Sequence, residues 1–139
     1  MARSITRFHF IQPAWDSLRY SRSDIIGRDM DRRGAYVATM GRAQVGVDTG
    51  ALRSTIRHRT FSGRAGSGPK TVVAAGGPGV EHALMHHEGT RPHEIRPNPP
   101  RSVLKFTIGG KTVYATRVMH PGTRENKYLT DHLPMAVRI

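Results

Sequence analysis

Cysteine is absent from all 139 residues. Neither a disulfide framework nor a thiolate metal site is available, which fits assembly in a reducing compartment. Long apolar runs are missing too, and no stretch approaches the length of a membrane span. The basic start MARSITRFHFIQPAW holds no apolar segment of leader length. The chain is therefore expected to be soluble and not exported by the general route. Apolar residues make up 37%, below the usual globular share. Carboxylates are scarce: 10 Asp and Glu stand against 22 Lys and Arg, for a formal net charge of +12. Such a chain either binds nucleic acid or sits against acidic protein neighbours. Most of its cations are Arg, whose planar fork suits phosphates and carboxylates alike, so composition leaves both readings open.

Signatures of catalysis are also wanting. There is no G-x-S-x-G and no phosphate-binding G-x-x-x-x-G-K-S/T, and Gly76 to Gly79 does not fit a dinucleotide fingerprint. Histidines are frequent: His82 and His86 stand four apart, with His87 and His93 near. On a helix the first two share a face and are candidate zinc ligands. The metalloprotease pattern needs Glu directly after the first His, and here Ala83 follows His82. Surface or interface histidines are the better reading. No catalytic, metal or cofactor site is expected, and a hydrolase built on His82, His86 and Glu88 is the weakest alternative. No helix-turn-helix or RNA-binding signature is legible.

The length suits one domain, residues 1–139. Residues 1–12 read as an N-terminal arm, with Phe8, His9 and Phe10 alternating as in a short strand. A helical segment follows over 13–45. Pro13 opens a short helix with an apolar side of Trp15, Leu18 and Tyr20. Ser21 and Ser23 are candidate caps for a helix of about twenty residues. In it Ile26, Met30, Val37, Met40 and Gln44 recur at helical spacing, with Gly34 and Gly41 alongside. Arg28, Asp31, Arg32, Arg33 and Arg42 lie opposite.

Gly46 and the Asp48-Thr49-Gly50 turn end that helix. A sheet is expected over 50–118. Leu52, Ser54, Ile56, His58 and Thr60 fall on one side of a strand, and Arg53, Thr55, Arg57 and Arg59 on the other. Ser62 to Lys70 is a flexible, exposed loop offering the charges of Arg64 and Lys70. Thr71 to Ala75 is a second strand. Val80 to Glu88 is a short helix or an irregular strand. Arg91 to Arg101, with four prolines, reads as an extended connector. Val103 to Ile108 and Thr112 to Val118 form a hairpin about Gly109-Gly110. Residues 124–139 read as a C-terminal helix or tail, interrupted near Pro134. The fold class is α+β: an antiparallel sheet of four or more strands, covered by the long N-terminal helix.

One pattern occurs twice. His87 to Arg91 and His120 to Arg124 both read H-x-G-T-R. The physical reading is two similar turns, with at least two of Gly50, Gly89 and Gly122 expected at positive φ, and with Thr90 and Thr123 bonding back to the turn.

Three longer stretches resemble a known family in order. V-D-T-G-A-L-R-S-T-I (Val47 to Ile56) is similar to P-V-D-T-G-x-L-R-x-S-I. A-L-M-H-H-E-G-T-R-P-H-E-I-R-P (Ala83 to Pro97) is similar to Y-A-x-x-V-E-x-G-T-x-P-H-x-I-x-P. H-P-G-T-R-E-N-K-Y-L (His120 to Leu129) is similar to H-P-G-T-x-x-x-P-F-L. These are the marks of small neck or minor tail proteins of long-tailed bacteriophages, of the tail-completion, tail-terminator-like or head–tail joining kind. The resemblance spans Trp15 to Leu133. Gly46 replaces the family's Pro, His87 an aromatic or apolar residue, and Lys127-Tyr128 its Pro-Phe.

The resemblance implies an α+β fold and no catalysis. It implies a homo-oligomeric ring, commonly six-fold, stacked on neighbouring neck and tail-tube proteins of the virion. The ring would join, complete or terminate the tail and let DNA pass, with assembly in the host cytoplasm and no membrane partner. Arg53, Arg57, Arg59, Arg64 and Lys70 are then candidates for subunit interfaces or for non-specific contact with packaged DNA. A basic nucleic-acid-binding module is the alternative function.

Overall fold

Pro13 sets the first element, as its fixed φ and missing N–H suit a first helical turn. In a computed structural model that describes residues 11–139, α1 spans Gln12–Tyr20 with proline in that turn. The expected N-terminal arm, apart from its last two residues, lies outside the described residues. No residue of α1 is buried, and Trp15 is 43% exposed.

The long helix α2 spans Ile25–Gln44. Its cap is Asp24, not Ser21 or Ser23: the Asp24 carboxylate accepts from the Ile25 N–H at 2.8 Å, while the two serine hydroxyls bond each other at 2.9 Å. The buried face matches the expected one at Val37, Gly34 and Gly41 and departs from it elsewhere. Ile26 is exposed, and the helix buries Gly27, Gly34, Val37, Ala38 and Gly41. The three glycines recur every seven residues and let other backbone and side chains approach the helix axis. A Cβ on Gly34 would overlap the Thr71 side chain, and one on Gly41 would stand 2.8 Å from the Tyr128 carbonyl oxygen. Glycine weakens a helix interior by about 1 kcal/mol each, so the stripe reflects close packing and not helix propensity.

After α2 the chain departs from the expected strand. Ala51–Thr55 is a short helix, α3, and the strand β1 covers only Arg57–Phe61. Gly50 takes the left-handed conformation, φ 81°, and the Ser54 N–H reaches back to its carbonyl at 3.1 Å. Ser54 and Thr55 hydroxyls then donate to the Ala51 and Leu52 carbonyls, 2.7 Å each. Leu52 and Ile56 are both buried. A spacing of four satisfies one helical turn as well as strand alternation, so the apolar pattern alone does not separate the two.

β2 is Lys70–Ala74 and pairs antiparallel with β1, Arg57 opposite Ala74 and Phe61 opposite Lys70. The inner face of this hairpin packs under α2. There the buried Thr60 hydroxyl donates to the Asp31 carboxylate at 2.7 Å and lies 2.7 Å from the Thr71 hydroxyl. Then follow α4 at Ala83–Glu88, β3 at His93–Ile95, β4 at Leu104–Ile108, β5 at Lys111–Ala115, β6 at Val118–His120 and α5 at Leu133–Ala136. Pro134 sits in the first turn of α5, so it opens the helix and does not interrupt it.

The fold is mixed helix and strand, with a long N-terminal and a short C-terminal helix. The expected sheet of four or more strands is not formed among the described residues. Three two-stranded sheets stand instead: β1–β2, β3–β6 and β4–β5. The reason lies in chain division. Residues 11–80 with 128–139 make one compact unit, and residues 81–127 a second. The range 50–118 is thus shared between two bodies. In the first unit α2 packs on β1, β2 and α5, and Val37, Ala38, Val45, Leu52, Ile56 and Tyr128 are buried. Arg32 and Arg33 hold its chain end, donating to the Ile139 and Val137 carbonyls at 2.9 and 3.0 Å. In the second, β4–β5 turns at Gly109-Gly110, both at positive φ.

Candidate functional site

Strand alternation builds the first candidate surface. His58 and Thr60 point to α2, so Arg57, Arg59 and Phe61 point away, together with Lys70, Val72 and Ala74 of β2. All six are exposed. Each cross-strand pair joins one cation to one apolar residue: Arg57 to Ala74, Arg59 to Val72, Lys70 to Phe61. The Arg59 guanidinium lies over the Phe61 ring, 5.0 Å from its centroid.

Arg53 and Arg64 are exposed as well. Arg53 lies on α3 and so does not share the strand with Arg57 and Arg59. Arg64 closes the hairpin tip through reciprocal backbone bonds with Ser67, 2.9 and 2.8 Å. The base of that loop is tied down: the Gly63 N–H donates to the Tyr20 carbonyl at 2.7 Å and the Arg22 N–H to Ser62 Oγ at 3.2 Å. The loop is exposed from Arg64 to Gly68, whereas Pro69 is buried. No Asp or Glu occurs between Asp48 and Glu81, so the face has no carboxylate of its own segment to answer its charge. Phe61 was not among the sequence candidates, although the period that selects Arg57 and Arg59 selects it too.

The second candidate surface belongs to the second unit. The two H-x-G-T-R turns do not stand apart but pair with each other. Thr90 and Thr123 exchange both backbone bonds, at 3.0 and 3.1 Å, and their hydroxyls lie 3.1 Å apart. The register is that of β3–β6, where His93 faces His120. Between them Pro92 and Pro121 face each other and neither can donate, which interrupts the ladder. Gly89 and Gly122, at φ 73° and 86°, sit where each strand crosses the other closely. A Cβ on Gly89 would stand 2.6 Å from the Thr123 carbonyl oxygen, and one on Gly122 would overlap that of Thr90.

Beside this ribbon lies a cleft of about 700 Å³, lined by His82, His86, His93, His120, Met85 and Arg124 among others. The His93 and His120 rings are 5.1 Å apart. His93 Nδ1 donates to the Arg91 carbonyl at 2.9 Å, whereas His120 Nδ1 accepts from the Gly122 N–H at 3.1 Å. Their neutral tautomers are therefore opposite. Glu88 does not join His82 and His86; it contacts His87 Nδ1 at 2.8 Å. Among the described residues no group of three or more His, Cys, Asp or Glu side chains is placed to hold a metal ion. No described helix is long and apolar enough to cross a membrane.

Compared with family models, curated proteins and solved structures, the chain has no significant match.

Proposed function

We propose that this chain is a structural protein of a tailed-phage virion that assembles into a ring at the neck or the top of the tail. The observation that carries the reading is a fold left incomplete at its edges. Among the described residues each sheet has only two strands, and a lone two-stranded ribbon is marginal in water. On β4–β5, Ile108 and Tyr114 are 64% and 62% exposed. Side chains of that size at open strand edges are completed by a neighbour. Copies joined head to tail by such heterologous contacts close into rings when the rotation permits. The ordered resemblance of Val47–Ile56, Ala83–Pro97 and His120–Leu129 supports the virion setting, with six copies, coaxial neck and tail-tube neighbours, and no catalytic role.

Light scattering and negative-stain microscopy of the purified chain test this. A closed ring, alone or on tail tubes, is expected; a monomer that never joins tubes overturns it. Virions lacking the protein are expected as heads beside unjoined or overlong tails. A second reading, a basic nucleic-acid-binding module, draws on the carboxylate-free stretch between Asp48 and Glu81. Salt-sensitive duplex binding by a monomer would favour it.

A further inference from the structure

We propose that the outer face of β1–β2 docks an acidic protein surface with an apolar centre, contributed by a different polypeptide from this chain. The inference deepens the structural-protein reading, on which only the partner's place in a virion rests.

The face has the make-up of a protein interface. Phe61 and Val72, 43% and 41% exposed, stand between Arg57, Arg59 and Lys70. Interfaces favour aromatic and arginine side chains around an apolar centre. Non-specific binding of duplex DNA rests on cations against phosphates, which leaves Phe61 and Val72 without a role. The contact with Phe61 places the Arg59 guanidinium over the ring. Its N–H edge is then suited to a bidentate carboxylate.

Charge decides what the partner must bring. No Asp or Glu lies on α3, β1, β2 or the intervening loop. A second copy of this chain is a poor source, because most of its carboxylates already hold donors. Asp29 is bound by Arg32 and Arg33 at 2.8 and 2.7 Å, Asp31 by Thr60 at 2.7 Å, and Glu94 by Arg96 at 2.6 Å. Glu125 and Asp131 are likewise engaged, by Lys127 and Gln44. Unengaged carboxylates are better supplied by another protein.

The test is a binding titration of the full chain with three probes: a peptide of alternating Glu and Phe, poly-glutamate, and a 20-base-pair duplex DNA. The Glu/Phe peptide is expected to bind best. Phe61→Ser should weaken it roughly tenfold, as should Arg57→Gln with Arg59→Gln. Poly-glutamate should bind more weakly and lose less to Phe61→Ser than the Glu/Phe peptide does. Val72→Thr is the parallel variant should Phe61→Ser fail to fold, with thermal melts to verify each protein. Peptide binding insensitive to both apolar changes overturns the proposal. So does duplex binding tighter than peptide binding, lost with the arginines alone, which assigns the face to DNA. Absence of binding to every probe overturns it too. A ring that fails to form while the peptide still binds would refute the assembly reading and leave this one standing.

Discussion

Tyr128 is the largest side chain that the first unit buries completely, 1% exposed, and it stands where the chain returns to that unit. Its backbone carbonyl lies against Gly41, so the close approach of this segment to α2 depends on the missing side chain there. Burial raises the Tyr128 hydroxyl above its ordinary value of 10.0. The folded chain therefore keeps this proton to higher pH than the unfolded chain does. Above about pH 10 the unfolded state loses it first, and stability falls as pH rises further. Tyr128→Phe removes that contribution. Urea unfolding from pH 8 to 11 should show a shallower alkaline decline in Tyr128→Phe than in the natural chain. Every other group is common to both proteins, so the difference between the two curves isolates the tyrosine. Identical curves would show that the phenol is hydrated in the fold.

At the scale of elements, local chemistry and the hairpin between neighbouring strands were legible, and pairing between distant strands was not. Pro13, the Gly109-Gly110 hairpin and the left-handed Gly50 follow from backbone rules that need no distant partner. The strand pair β3–β6 was missed because four prolines between Arg91 and Arg101 argue against a central strand, and they do; this ribbon has no centre. A signal was nonetheless present. Gly89-Thr90-Arg91-Pro92-His93 set against Arg124-Thr123-Gly122-Pro121-His120 matches Thr to Thr, Pro to Pro and His to His in antiparallel register. The two turns resemble each other because each glycine clears the backbone of the other strand. That separates two kinds of glycine. Gly50→Ala meets nothing within 4 Å and bears only the left-handed strain, about 1–2 kcal/mol. Gly122→Ala adds an overlap with the Thr90 carbonyl, for a loss of about 3 kcal/mol. Asparagine should be nearly neutral at Gly50 and as damaging as alanine at Gly122. Hydrogen exchange at the Thr90 and Thr123 amides should accelerate only in the Gly122 variants. Equal costs at the two sites would show that the crossing opens without penalty.

For the molecule as a whole, two forces on assembly oppose each other. The exposed apolar side chains, Leu84, Ile108, Tyr114 and Val137 among them, favour association. The charge resists it. Six copies would carry 6 × 12 = +72, and like charges at that density repel unless they are screened or neutralised. Whether ion pairs between copies offset the repulsion depends on available carboxylates, and Asp29, Glu94 and Glu125 already sit in ion pairs of their own. Guanidinium bonds from Arg32 and Arg33 hold the Asp29 carboxyl below its usual range, so it stays ionised and engaged at neutral pH. Self-association is therefore expected to strengthen with salt. Raising ionic strength from about 0.1 M to 1 M shortens the screening length from about 10 Å to about 3 Å. That removes repulsion between copies while leaving apolar contacts intact. Docking of an acidic partner on Arg57, Arg59 and Lys70 should respond the other way and weaken over the same range. Sedimentation velocity of the chain alone, run beside a binding titration with the Glu/Phe peptide, reads both slopes. Opposite signs are the expected result. Self-association that weakens with salt would mean that carboxylate–guanidinium contacts between copies hold the assembly, and the division of labour between apolar edges and basic face would fall.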